Sequence, residues 1–217
     1  MSRSFRLGIT GKIGSGKSVF SELLRSNGIS VLDSDKIAKE VMLSDSDVRE
    51  GLISLFGPEA FTDNKLNTGF LASQIFSSDE KRIAVEALVH PKVSEILERG
   101  FDTTEAGKII AVESALLLQT GYDQMFDALI LIASSDELIL ERNRASKRFA
   151  EKDLLARLAE QSFTSDDEAD ADFVIKNDST LDVFTERSKK VLTILEVMAM
   201  GSLPDEPLRS VEISDTE

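Results

Sequence analysis

The chain has 217 residues, 41% of them hydrophobic, which is enough to bury a substantial core as one domain with an insertion. Its formal net charge of −14 argues against general nucleic-acid binding and against docking on an anionic membrane surface. With no cysteine and a single histidine, His90, the sequence excludes disulfides, cysteine zinc sites and a Ser-His-Asp triad away from that residue, and it fits a reducing cytoplasm.

The first apolar run, Phe5–Ile9, predicts a buried strand. Interrupted by Arg6 and running into glycines, it makes no signal-peptide core, and no later run approaches the length of a membrane span. It leads into Gly11-Lys12-Ile13-Gly14-Ser15-Gly16-Lys17-Ser18, which fits G-x-x-x-x-G-K-[ST] at every position. An amphipathic pattern comes next, with Val19, Phe20, Leu23 and Leu24 on one face, so the context is strand, glycine loop, helix, and it makes the motif diagnostic of a phosphate-binding loop. Gly11, Gly14 and Gly16 allow successive N–H groups around Ser15 to turn inward as an anion nest, and the helix aims its positive dipole end at the same point. Lys17 is then a compact charge for the outer phosphates of a nucleoside triphosphate, and the Ser18 hydroxyl a ligand for Mg²⁺.

Asn27-Gly28 stops the helix before a second strand at Ile29–Leu32. Asp33-Ser34-Asp35 stands directly after it. In open α/β sheets ligands bind at the carboxyl ends of strands, so Asp33 is placed to take a proton from an attacking hydroxyl and Asp35 to help hold magnesium through water. The plainer alternative is that Asp35 caps the next helix, as Asp45 does in Asp45-Ser46-Asp47, where no strand precedes it. Residues 36–107 then predict a helical insertion, with helices at Lys36–Leu43, Asp47–Phe56, Asn67–Ser77, Asp79–Val89 and Pro91–Gly100. Gly57-Pro58 breaks the second of these from the next segment, and His90-Pro91 joins the last two. This insertion is a natural place for a second substrate.

Strands resume at Ile109–Val112, ending in Glu113, a candidate magnesium-site carboxylate, and at Ala128–Ile132. A helical pair, Asp136–Ser146 and Glu151–Ser162, carries Arg142, Arg144, Lys147, Arg148 and Lys152 in an otherwise acidic chain. A basic lid over about 141–165, with Arg142 stabilising a transferring phosphoryl group, is favoured over a solvated face paired with Glu141 and Glu151. A strand at Phe173–Ile175 and a long helix at Leu181–Met200 complete the core, and residues 201–217 read as a disordered acidic tail. The fold class is α/β: a P-loop kinase-type parallel five-stranded sheet flanked by helices, with core residues 1–35 and 108–200, an inserted helical substrate domain and a helical lid.

Taken together, these landmarks resemble the dephospho-coenzyme A kinase family. The resemblance rests on Gly8-Ile9-Thr10-Gly11 with Ile13-Gly14-Ser15-Gly16-Lys17-Ser18, on Asp33-Ser34-Asp35 and on His90-Pro91-Lys92-Val93. Leu116-Leu117, Arg142, Gln161 and Ala171-Asp172-Phe173-Val174-Ile175-Lys176-Asn177 come after them in order, so it spans about residues 5–195. It implies transfer of the ATP γ-phosphoryl to the ribose 3′-hydroxyl of dephospho-CoA, with Asp33 as base, Lys17 and Arg142 stabilising charge and Ser18 on magnesium. It also implies ATP contacts at Val19 and Asn177, acceptor contacts at Asp35, His90 and Leu116, and a cytoplasmic monomer or weak homo-oligomer. Departures are Lys12 for a usual glycine, Leu66-Asn67-Thr68 where an Asp-Arg pair is usual, Ala115 for proline, Gln119 for an acidic residue, and Asp166, Asp167 and Glu168 near a usual lid cation. They keep two rivals in view: another small-molecule or nucleoside monophosphate kinase, and a nucleotide-binding homologue with weak turnover.

Overall fold

The structure is a computed structural model that describes residues 3–115, 117, 122–161, 170–201 and 211–213. It divides into two compact units, Met1–Leu32 with Phe101–Glu217, and Asp33–Gly100. The second starts at Asp33 and stops at Gly100, where the sequence placed the insertion at 36–107.

The first unit is built on β1 (Phe5–Thr10), which pairs in parallel with β5 (Ile109–Glu113) on one side and β6 (Ala128–Ala133) on the other. The full order is β2 (Ser30–Asp33), β5, β1, β6, β7 (Phe173–Lys176) and β8 (Val211–Ile213). In chain order the five long strands are therefore second, third, first, fourth, fifth, which puts β1 at the centre and the loop after it over the middle of the sheet. All five expected strands are present, each within two residues of the expected ends.

Alternation decides which residues meet which helices. Phe5, Leu7 and Ile9 of β1, Ile109 and Ala111 of β5, Ile130 and Ile132 of β6, and Phe173 and Ile175 of β7 join one buried cluster. They pack with Phe20 and Leu24 of α1 (Lys17–Ser26) and with Phe184, Val191, Leu195 and Met198 of the C-terminal helix (Leu181–Ala199). Phe5, Phe20, Phe173 and Phe184 are at most 1% exposed, each contributing about 1.5–3 kcal/mol by burial. That packing holds the β1–α1 corner in place. Leu131, Ala171 and Val174 bury the opposite face.

Val211–Ile213 runs parallel to β7 as a sixth strand, within the tail that the sequence pattern marks as disordered. Val211-Glu212-Ile213 is a short apolar–polar alternation, and β7 otherwise ends the sheet with an unpaired edge. Among the described residues no helix is long and apolar enough to cross a membrane.

In the second unit, α2 (Ser34–Ser44) and α3 (Ser46–Phe56) lead to a single 3₁₀ turn at Pro58–Ala60 after Gly57, whose φ is 82°. A small hairpin, β3 (Phe61–Thr62) with β4 (Lys65–Leu66), turns on Asp63 and Asn64 at φ 50° and 60°. It is absent from the expected elements, although two adjacent residues tolerant of the left-handed region are its signature. α4 (Thr68–Phe76) comes next.

α5 runs unbroken over Asp79–Thr103 with Pro91 inside it, where two helices meeting at His90-Pro91 were expected. The physical reason is the apolar stripe. Val85, Val89, Val93, Leu97 and Phe101 recur every fourth residue straight across the proline and are all buried. Continuous burial outweighs the hydrogen bond that a proline forgoes.

Asn67, which stands where an aspartate is usual, caps α4: its Oδ1 accepts from the Phe70 N–H at 3.2 Å and its Nδ2 donates to the Glu59 carbonyl at 3.1 Å. Replacing Asn67 by alanine removes both bonds and is expected to lower stability by about 1 kcal/mol, read as a fall in the urea midpoint at unchanged slope.

Candidate active site

The loop between β1 and α1 is shaped by backbone that only glycine adopts easily. Gly11, Gly14 and Gly16 have φ of 143°, 78° and 111°. Each is also crowded. A Cβ on Gly11 would meet the Ile132 carbonyl of β6, one on Gly14 would lie 2.9 Å from Ile139, and one on Gly16 would strike the Asn177 amide. Gly16 is the N-cap of α1 and makes no side-chain cap hydrogen bond, a helix N-terminus of the kind that suits an anion.

Lys17, the first residue of α1, is 8% exposed, and its ammonium donates to the Gly11 carbonyl at 2.7 Å and to the Lys12 carbonyl at 3.1 Å. It is therefore folded back over the loop that precedes it. The Ser15 hydroxyl is buried without a hydrogen-bond partner among the described residues, an unsatisfied group inside the loop. Ser18 and Val19 are exposed on the first turn of α1.

Four contacts hold the loop from outside. The Asn177 Nδ2, just after β7, donates to the Ser15 carbonyl at 2.7 Å. Lys12, in the position of a usual glycine, pairs with Asp136 at 2.6 Å in the first turn of α6 (Asp136–Ser146). Ile13 leans on the cluster of Ile139, Leu154 and Leu158 formed by α6 and α7 (Glu151–Glu160). Its N–H donates to the Gln161 Oε1 at 2.6 Å.

Glu113 ends β5 in register with Ile9, and it accepts from the Ser21 hydroxyl at 2.7 Å, one turn of α1 beyond Ser18. Among the described residues no three carboxylate or imidazole groups converge as a metal cage. One hydroxyl and one carboxylate beside a phosphate loop instead suit Mg²⁺, which keeps several waters and takes the rest of its shell from phosphate.

Arg142 lies on α6. Its Nη1 donates to the Asn177 carbonyl at 3.0 Å and its Nη2 to the Ser179 carbonyl at 3.1 Å, while the Ser134 hydroxyl donates to the same Asn177 oxygen at 3.1 Å. Here the guanidinium fastens the segment after β7. Arg187, 6% exposed on the C-terminal helix (α8), donates to the Lys176 carbonyl at 2.7 Å and to Asp178 at 2.6 Å in the same segment. Elsewhere in the basic cluster, Arg144 pairs with Glu151 at 2.6 Å, the solvated partnership weighed against a lid role.

In the second unit Asp33 is half-buried, and its Oδ1 accepts from the Lys36 N–H at 2.9 Å, so Asp33 and not Asp35 caps α2. Asp35 lies exposed in the first turn of that helix. Asp45 caps α3 as expected, taking the N–H groups of Asp47 and Val48 at 3.0 and 3.1 Å. Those bonds, Val48 first, and Lys92 at 3.1 Å hold its carboxyl below the usual range. His90 is half-buried in α5. Leu116, Gln119 and the acidic run 166–168 lie outside the described residues.

Sequence reasoning marked Gln161 only as a landmark and gave no role to Asp136, Ser21 or Ser134. Their partners lie far away along the chain, 148 residues in the case of Gln161, where no local pattern can report them.

The sequence profile of the dephospho-CoA kinase family matches residues 5–182. A dephospho-CoA kinase of Bacteroides fragilis is 34% identical over 175 residues, 81% of this chain and 85% of that one. The crystal structure of TT1252 from Thermus thermophilus is 33% identical, with a TM-score of 0.76 over 89% of this chain and 98% of that one. The dephospho-CoA kinase of Campylobacter jejuni is 26% identical, with a TM-score of 0.66 over 91% and 98%.

Gly16→Ala meets both a left-handed φ and the Asn177 amide, and is expected to weaken binding of a non-hydrolysable ATP analogue by about tenfold or more, measured by calorimetry, with the circular dichroism spectrum retained. The Arg187 hydrogen bond holds the Asp178 carboxyl below its ordinary 3.8. A depressed carboxyl stabilises the fold above the unfolded value and loses that contribution as pH falls through the folded one. Urea midpoints measured between neutral pH and pH 3 are expected to show a shallower acid slope for Asp178→Asn than for the parent, with a lower midpoint at neutral pH.

Proposed function

The chain belongs to the dephospho-CoA kinase family, and on that premise we propose how its residues divide the work of the reaction. The enzyme phosphorylates dephospho-CoA, using ATP as donor, in the biosynthesis of coenzyme A. The bond that forms joins the ribose 3′-oxygen to the γ-phosphorus, the bond that breaks joins that phosphorus to the β,γ-bridging oxygen, and ADP leaves. Such a transfer needs little covalent help from the protein, so catalysis consists of positioning and electrostatic stabilisation.

The observation that carries the donor half is Lys17 seated on the Gly11 and Lys12 carbonyls at the start of α1, where the N-cap is Gly16. Gly11, Gly14, Ser15, Gly16, Lys17, Ser18 and Val19 receive the ATP phosphates, with loop N–H groups and the α1 dipole facing the negative charge. Lys17 follows that charge onto the transferring group. Arg142 and Asn177 hold the segment after β7 against the nucleotide, and Arg142 adds positive charge on the α6 side. Ser18 and Glu113 would hold Mg²⁺, which when bound neutralises phosphate charge and orients the polyphosphate.

On the acceptor side, Asp33 receives the 3′-hydroxyl proton. Its cap bond occupies Oδ1 and leaves Oδ2, and a carboxylate oxygen is a sufficient base for a hydroxyl that becomes acidic only as it attacks. Asp35, His90 and Leu116 contact dephospho-CoA, and the unit Asp33–Gly100 supplies the acceptor surface. Lys92 is held by Asp45 and Asp47, so it structures the α3 N-terminus.

The test offers the full chain ATP with dephospho-CoA, AMP, CMP or shikimate, and monitors ATP consumption together with the ³¹P spectrum of the product. Turnover with dephospho-CoA alone and a new 3′-phosphomonoester are expected, whereas turnover only with another acceptor overturns the assignment. Asp33→Asn keeps a good helix cap, which makes it a clean probe of the base. It is expected to lower kcat by about two orders of magnitude or more with the Kd for an ATP analogue unchanged, and near-normal turnover would remove Asp33 from the mechanism.

A further inference from the structure

We infer that Gln161 is a positioning residue for the donor nucleotide, acting through the Lys12–Ile13 peptide on Lys17. This rests on the reading of the loop as the ATP site. A trans peptide is planar, with its C=O and N–H pointing in opposite directions, so fixing one end aims the other. The Ile13 N–H donates to the Gln161 Oε1 at 2.6 Å, while the carbonyl of the same peptide, on Lys12, accepts from the Lys17 ammonium at 3.1 Å and from the Ser15 N–H at 3.1 Å. Were that peptide to flip, Lys17 would lose one of the two carbonyls that seat it, and the Ser15 turn would lose its acceptor. Gln161 is what holds the outer end.

Three further contacts make the peptide a fixed part of the structure. The side chain of Lys12 is tethered to Asp136, that of Ile13 packs on the cluster of α6 and α7, and Gln161 itself ends α7, with its N–H on the Arg157 carbonyl at 3.1 Å. α6 therefore reaches both loop residues, and α7 reaches Ile13. The chemistry also selects a carboxamide. An uncharged acceptor holds an N–H at the loop without adding negative charge where polyphosphate must bind. Asn177 does the complementary work: its Nδ2 draws the Ser15 carbonyl outward at 2.7 Å, and that orients the Gly16 N–H of the same peptide the opposite way. One amide side chain accepts from the loop, the other donates to it, and each sets a peptide plane.

The test uses the full chain with Gln161→Leu, which keeps the bulk and removes the acceptor. A Kd for a non-hydrolysable ATP analogue weakened by about tenfold is expected, with the KM for dephospho-CoA within about twofold of the parent. Hydrogen exchange of the Ile13 amide, slow in the parent, is expected to become fast in Gln161→Leu and to stay slow in Gln161→Glu, which retains an acceptor of the same reach. A role confined to packing would lower the melting temperature and leave the analogue Kd unchanged, which overturns the proposal. Fast exchange at Ile13 in the parent protein also overturns it, with no variant needed. Absence of dephospho-CoA turnover in the parent would instead count against the assigned reaction, because neither the amide exchange nor the analogue Kd depends on the acceptor.

Discussion

The seating of the Lys17 ammonium on the carbonyls of Gly11 and Lys12 is the interaction on which the form of the Gly11–Ser18 loop depends. A nearly buried cation is costly unless polar groups are aimed at it, and here two carbonyls of the preceding turn are aimed at it by the loop's own conformation. That conformation demands three glycines at positive φ, a central strand to launch it and a helix to receive it. The phenylalanines packed between α1, α8 and the sheet keep launch and landing points fixed. The Lys17 ammonium and the positive end of the α1 dipole then stand together on a chain of net charge −14.

Charge elsewhere is arranged to leave that site distinct. Lys12 is drawn to Asp136, Arg144 to Glu151, Arg187 to Asp178, and Lys92 to Asp45 and Asp47. The exposed pairs among these contribute only about 0–1 kcal/mol to stability, so their value lies in orientation. Lys12–Asp136 ties the loop to α6, and Arg187–Asp178 fixes the segment from which Asn177 reaches it. Arg142 belongs to the same scheme, since its guanidinium fastens the carbonyls of Asn177 and Ser179 while it keeps its charge beside the donor loop.

Much of this was legible in the sequence because it is local. A phosphate loop is eight consecutive residues, and the apolar runs of a buried parallel sheet announce themselves without knowledge of their neighbours. Asp45 was rightly a cap. Asp33 showed where local reading stops, because a carboxylate that ends a strand and begins a helix carries both signals, and in the folded chain it is Asp33, not Asp35, that takes the Lys36 N–H. Pro91 misled because a proline is a local break, whereas the stripe from Val85 to Phe101 that keeps α5 continuous is a property of the whole helix. The strand at Val211–Ile213 required knowing that β7 had a free edge. Gln161 and Asn177 reach the loop from 148 and 162 residues away, and nothing in the sequence near Ile13 or Ser15 points to them.

A loop held by the protein's own contacts is expected to keep its form without nucleotide, so binding ATP should order little new backbone and most of the phosphate interaction should appear as affinity. The most direct test is ¹⁵N relaxation of residues 11–18 in the nucleotide-free protein. Order parameters near about 0.85, matching those of β1, are predicted, whereas values below about 0.6 that rise only when an ATP analogue is added would contradict a preformed donor site.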